Sequence, residues 1–570
     1  IYTLSLHDAL PIFGRGMAHA AIGYAKQLNR RKIIPCLSSI GPGAMNMVTA
    51  CGTATANRIP LLVLPGDTFA TRQPDPVLQQ VEHPNSFATT SNDAFRAVCK
   101  YWDRVERPEQ LMTAMINAMR VLTDPADTGA VCVALPQDVE GEAYDYPEYF
   151  FEKRVWYLDR RPISTAQLDR AVALIRSAKK PLLICGGGVR YAEAGDALIR
   201  FAEALNVPIA ETQAGKSVVP WDHPLNVGGL GVTGGKAANV LAKDADLILA
   251  VGTRLTDFTT ASKSAFKNPD ARLLSINVCP FDAFKMDAGA IIADAREALT
   301  ALTASLSAIG YRSGYQGEIA AARDEWNAIV DDFYAQPDTA AGMSQTRALG
   351  LINSHMKPAD IAVGSAGSLP GDMQRLFRPG NRDTYHMEYG YSCMGYEVNA
   401  AVGVKMAQPE SEVYAFLGDG SFIMSHSELY TAVQEGLKVN FMVFDNAGWG
   451  CIENLQNSQG TKTFGTVFKA RSETTGRLDG GPLPIDFARI AEGYGLKAYR
   501  AATSAELEAA LNDAEAQTGP CLFDIKVRPG TMTPGFESWW RVGTAEVSTD
   551  PNVQSAYEAM RRKIKLARDY

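Results

Sequence analysis

Short apolar runs recur along this chain, each closed by a glycine or proline turn and followed by apolar residues at helical spacing. The first block holds IIPCLSSIGPG, IPLLVLPGD and GAVCVALPQD, which read as strands ending in turns. The second holds KKPLLICGGG, ADLILAVGTRLTD and ARLLSINVCP, and the third ADIAVGSAG, EVYAFLGDG, VNFMVFDNAG and PCLFDIKV. Strands alternating with helices predict parallel sheets with helices on both faces. The expected fold is therefore α/β, with three Rossmann-like domains at residues 1–145, 165–315 and 345–535 and a tail at 536–570. The Pro- and charge-rich AYDYPEYFFEKRVWYLDRRPIS joins the first block to the second, and EIAAARDEWNAIVDDFYAQP reads as a helix before the third. Upstream, GMAHAAIGYAKQLNRRKII reads as an amphipathic helix from Gly16, with Ala20, Ile22, Ala25 and Leu28 near helical spacing.

Composition narrows the class. At 570 residues the chain exceeds one ordinary core. A hydrophobic content of 46% and a charged content of 21% are those of a globular protein. The net charge of −8 argues against nucleic-acid or anionic-membrane partners. No apolar run reaches the roughly 20 residues of a membrane helix, and no signal peptide is evident. Nine scattered cysteines form neither a disulfide framework nor a zinc pattern, which fits a reducing, cytoplasmic setting.

Chemistry concentrates in VYAFLGDGSFIMSHSELYTAVQEGLKVNFMVFDNAGWG. A predicted strand ends at Gly418-Asp419-Gly420, and a second ends at Asp445-Asn446. Between them a helix carries Leu429, Val433 and Leu437 on one face, with Ser425 and Glu428 as its capping box. The Asp419 carboxylate and the Asn446 amide oxygen then project from two strand ends, and hard oxygen donors of this kind suit Mg²⁺. Gly420 and Ser421 let backbone N–H groups approach an anion at a helix start. The pattern describes a metal holding a diphosphate.

These residues resemble the signature of thiamine diphosphate-dependent enzymes. The resemblance implies thiamine diphosphate and Mg²⁺ as cofactors. Asp419, Asn446 and the Gly448 carbonyl would hold the metal, Gly418, Gly420, Ser421 and Asn446 the cofactor, and Met394 would prop its bent shape. Asp445 stands where the family usually has Asn, which leaves the ligand itself intact. SSIGPGAMNMVTACGTATANRIPLLVLPGD resembles the family's pyrimidine-binding domain, KKPLLICGGGVRYAEAGDALIRFAEALNVPIAET its central domain, and EYGYSCMGYEVNAAVGVKMA the stretch carrying Met394.

Other stretches, among them LPGDTFATRQPDPVLQQVEHP and NAGWGCIENLQNSQGTKTFGT, resemble a subfamily of C–C bond hydrolases in myo-inositol catabolism. The implied reaction opens a small cyclic trihydroxycyclohexane-1,2-dione to 5-deoxy-glucuronate, with the thiazolium ylide as electron sink. The resemblance also implies a homodimer or homotetramer with active sites between subunits. It places Gln79 and His426 as candidate catalytic groups, with His386 a second candidate proton donor. His19 reads as a satisfied helical histidine, Trp539–Trp540 as a lid, an interface or core. GLGVTGGKAANV looks like a nucleotide turn, but no flavin is expected there.

The family activates its cofactor with a glutamate two residues before the glycine of GMAHAA. Here that position is Gly14. The resemblance also implies a strand and helices further upstream, for which residues 1–13 are no substitute. They are expected to be translated adapter sequence on a truncated coding region, and activity is expected to be very low. Two rivals stay open: a carboligase joining 2-oxo acids, and an inactive scaffold.

Overall fold

The computed structural model describes residues 14–74 and 77–569. Residues 1–13, on which the expectation of a foreign leader falls, lie outside the described residues. Three sheets follow one another along the chain, and every strand pairing within them is parallel.

The first sheet contains β1 (Cys36–Ser38), β2 (Leu61–Asp67), β3 (Tyr101–Arg104) and β4 (Ala130–Pro136), in the order β1-β2-β4-β3. The second contains β5 (Pro181–Cys185), β6 (Ile209–Glu211), β7 (Asn226–Gly229), β8 (Leu247–Val251), β9 (Arg272–Asn277) and β10 (Gly289–Ile292), in the order β10-β9-β8-β5-β6-β7. The third contains β11 (Ile361–Gly364), β12 (Tyr385–Met387), β13 (Val413–Gly418), β14 (Asn440–Asp445), β15 (Lys497–Ala501) and β16 (Cys521–Lys526), in the order β12-β11-β13-β14-β16-β15. β5 and β8 are buried along their whole length because helices cover both faces. The three-block α/β expectation therefore describes the molecule. No helix among the described residues is long and apolar enough to cross a membrane.

Two helices join the first and third units: α1 (Gly14–Gln27), packed on α2 (Val48–Asn57) of its own unit, and α3 (Tyr396–Ala407) of the third. Their contact is reciprocal. A Cβ on Gly23 would lie 2.5 Å from the Ala400 carbonyl oxygen, and one on Gly403 would lie 1.9 Å from that of Ala20. Ala20-Ala21-Ile22-Gly23 and Ala400-Ala401-Val402-Gly403 are thus matching faces of one crossing, closed by glycines because no side chain fits there.

The helix after β13 differs from expectation. It is α4 (Asp419–Ser425), which starts at the aspartate itself, and Ser425 makes no side-chain cap. His426–Glu428 form a single 3₁₀ turn before the short helix Leu429–Gln434. The Glu428 carboxylate is buried and accepts from Thr431 Oγ1 at 3.0 Å, so it is turned inward rather than back to a cap.

Candidate functional site

β13 and β14 pair in register, Gly418 opposite Phe444, so their carboxyl ends deliver Asp419 and Asp445-Asn446 to the same edge of the third sheet. Asp419 is 1% exposed and its carboxylate organises that edge. Oδ1 accepts from the Gly420 N–H at 2.6 Å; Oδ2 accepts from the N–H groups of Asn446 at 3.1 Å and Gly448 at 2.9 Å. Burial and the adjacent Asp445 carboxyl push Asp419 well above the usual carboxylate range. Asp445 itself is paired, accepting from Lys526 Nζ at 2.5 Å.

The residues present fit a divalent cation. Asn446 Oδ1 is buried without a hydrogen-bond partner, an acceptor left for a ligand. Among the described residues no group of three His, Cys, Asp or Glu side chains could hold a metal. A cation here would instead draw on one carboxylate, one amide and main-chain carbonyl oxygen, the hard donor set suited to Mg²⁺. Glycines shape the surroundings. A Cβ on Gly420 would strike the Trp449 indole at 2.4 Å, whereas one on Gly418 would meet nothing within 4 Å, which leaves open space before the first turn of α4.

The loop after β12 forms the neighbouring wall. Glu388 fixes it, accepting from the N–H groups of Tyr391 and Cys393, both at 2.8 Å, from Asn57 Nδ2 at 2.7 Å and from Ser365 Oγ at 3.1 Å. Met394 ends this loop partly exposed, and its carbonyl accepts from Arg15 at the start of α1. Glu397, one turn into α3, is fully buried and reaches Ala366 and Ser421. Sequence reading passed over Glu388 and Glu397. Their signal was an acid in otherwise apolar or small-residue text, HMEYGYSCMGYEVNAAVG.

The remaining candidates scatter. Gln79 is exposed on a loop of the first unit with φ +69°, and a Cβ on Gly41 (φ +60°) would collide with its carbonyl oxygen. His426 is half-buried beside α4, its Nδ1 3.3 Å from the Tyr494 hydroxyl. His386 lies wholly inside the protein on β12, Nε2 2.8 Å from the Tyr396 hydroxyl, and burial pushes its pKa down. An imidazole so placed is a neutral core group. His19 is packed as expected but not satisfied, since both ring nitrogens lack partners and its ring meets the edge of Tyr396. Trp540 docks the tail on the second unit, its indole N–H donating to Asp257 at 2.8 Å. Gly14 is the first residue of α1; a Cβ there would lie 3.0 Å from the Gly43 carbonyl oxygen.

The glycine turn of the second unit borders a cavity of about 360 Å³ between the units, lined by Leu230 and Thr233 together with Lys26, Arg30, Arg58 and Arg254. Burial and the nearby Arg190 charge lower the Lys26 pKa to about 7.

Comparison with known proteins matches all three units in order. Residues 12–87 match the thiamine pyrophosphate enzyme N-terminal TPP binding domain, 168–302 the central domain, and 365–525 the C-terminal TPP binding domain. A Clostridium tetani protein named 3D-(3,5/4)-trihydroxycyclohexane-1,2-dione hydrolase is 54% identical over 98% of this chain and 90% of its own length. One of the same name from Geobacillus thermodenitrificans is 55% identical over the same shares. The open cradle at Gly418, the aspartate that organises it and the unpaired Asn446 oxygen thus stand inside the matched cofactor-binding domain, and the chain belongs to the thiamine pyrophosphate enzymes.

Proposed function

We propose that the protein is a thiamine diphosphate- and Mg²⁺-dependent hydrolase that opens 3D-(3,5/4)-trihydroxycyclohexane-1,2-dione to 5-deoxy-glucuronate in inositol catabolism. The observation that carries this is the 54% identity to hydrolases of that name across 98% of the chain, and the Asp419–Asn446 geometry supports it. Bound thiamine diphosphate supplies an electron sink for the carbanion that forms when a C–C bond beside a carbonyl breaks.

The chain's own residues hold and orient. Asp419, Asn446 and the Gly448 carbonyl would hold Mg²⁺, and Gly418, Gly420 and Ser421 would line the diphosphate. Met394 supports the cofactor from the β12 loop. Gln79 and His426 face the reacting groups, His426 with Tyr494 as its hydrogen-bond partner. A second copy completes each site, as homodimer or homotetramer, with the first unit of one chain against the third of another. Nine free cysteines accord with a cytoplasmic enzyme.

The test is product analysis. Holoprotein given the dione yields 5-deoxy-glucuronate, slowly in this chain and faster in Gly14→Glu, and given pyruvate yields no acetolactate. Acetolactate from pyruvate would instead make it a carboligase.

A further inference from the structure

Glu397 is the acid that the cofactor reading leaves unused. Its Oε1 accepts from the Ala366 N–H at 3.1 Å and from Ser421 Oγ at 3.3 Å. It therefore joins the loop after β11 to the first turn of α4, the turn that opens onto the Gly418 cradle. Its Oε2 is buried and has no hydrogen-bond partner. Ala366 and Ser421 are themselves at most 5% exposed, so water does not satisfy this corner from outside.

A buried carboxylate with one bare oxygen is a costly arrangement beside a site for a diphosphate anion. A neutral carboxylic acid resolves both problems: Oε1 keeps its two donors, and Oε2 gains a proton that needs an acceptor. We infer that Glu397 is a positioning residue for the cofactor, holding a proton on Oε2 and donating it to an oxygen of the bound diphosphate. This rests on reading the Asp419 edge as the cofactor site.

The surroundings favour the neutral form. Burial foremost, with the Glu388 negative charge adding to it, raises Glu397 to about 7 in spite of its donors. The elements packed against α3 carry Asp419 at the head of α4, Arg15, His19 and Lys26 on α1, and His426 and the buried Glu428 on the 3₁₀ turn; the Arg15 guanidinium is engaged with the Met394 carbonyl. Donation to a diphosphate oxygen holds the proton on Glu397 once the ligand is bound. Binding above pH 7 therefore draws one proton from solvent onto Glu397.

The experiment titrates thiamine diphosphate into the full chain at saturating Mg²⁺, by calorimetry in two buffers of different ionisation enthalpy, for the parent, Glu397→Gln and Glu397→Ala. Glutamine offers an N–H donor at every pH. At pH 8 the parent takes up about one proton more than Glu397→Gln, and its Kd relative to that variant rises about tenfold per pH unit above 7. Glu397→Ala, with no donor, binds more weakly than the parent at pH 6. Magnesium pyrophosphate as competitor shows the same dependence. Equal proton uptake with parallel pH profiles would overturn the proposal. So would parent-like binding by Glu397→Ala, or a dependence absent with pyrophosphate. Asp419→Ala run alongside separates the two readings. If it alone loses binding, the cofactor site stands and the role of Glu397 falls; if it binds like the parent, the site reading itself fails.

Discussion

Gly23 and Gly403 lie on opposite sides of one helix crossing, each pressed on the alanine that precedes the other by three residues. The crossing joins the unit that matches the N-terminal cofactor domain to the unit that matches the C-terminal one. A methyl group on Gly403 must displace the Ala20 carbonyl oxygen, which belongs to backbone and cannot rotate away. Gly403→Ala is expected to destabilise by about 1–3 kcal/mol, the usual cost of overpacking. The check is calorimetric melting, where the variant should unfold several degrees lower; an unchanged transition would mean that the helices separate freely.

Asp419 accepts three backbone N–H groups and stands beside an unpaired Asn446 oxygen. Asp419→Ala should weaken Mg²⁺-dependent cofactor binding by more than about 100-fold. Chelation of Mg²⁺ should do the same to the parent. Intrinsic fluorescence is a direct readout, because the Trp449 indole packs on Gly420.

Turnover by this protein should be very low, since Gly14 offers no carboxylate where the resemblance places an activating glutamate. Gly14→Glu is expected to raise kcat by about 10²–10⁴-fold, the range of general acid–base assistance. Dione consumption under cofactor saturation measures it. Full turnover by the parent would show that another group performs the activation.

His19 is buried and neutral, with a pKa lowered to about 3 by burial and by the Arg15 charge. In the unfolded chain it titrates near 6.5, so between pH 6.5 and 3 the unfolded state binds the extra proton. Stability should therefore fall as pH drops through that window, by at most about 1.4 kcal/mol per unit from this residue. His19→Asn, which copies the matching position Asn399 on α3, should flatten the acid limb of a melting-temperature profile. The limb that remains belongs partly to His386, shifted in the same direction.

The meeting of Asp419 with Asn446 at one sheet edge was legible in sequence because its logic is local. Two apolar strands end in Gly418-Asp419 and Asp445-Asn446, and parallel pairing does the rest. The sheet count was legible for the same reason. The α1–α3 crossing was not, although AAIG and AAVG are both plain in the text, because a repeat of four small residues carries no period. The Ser425 cap was misread: the pattern was present, but packing turned the Glu428 carboxylate inward. His386 looked like a proton donor from its neighbours in sequence, and only the third dimension shows that β12 points it at Tyr396. Glu388 and Glu397 were passed over in sequence, because Asn57, Ser365, Ala366 and Ser421, which bond them, lie on other elements far away along the chain.

The crossing of α1 with α3 has a consequence for the order of events at the ribosome. Its two halves are separated by roughly 380 residues, so the apolar face of α1 emerges long before its partner exists. At about 5–20 residues per second the wait is roughly 20–80 s. The second unit is complete within that interval and can fold, which shortens the span that the two helices must later close. Until then the Ala20–Gly23 face of α1, which α3 covers in the native fold, is exposed on a nascent chain. That face therefore needs protection during synthesis as well as packing afterwards.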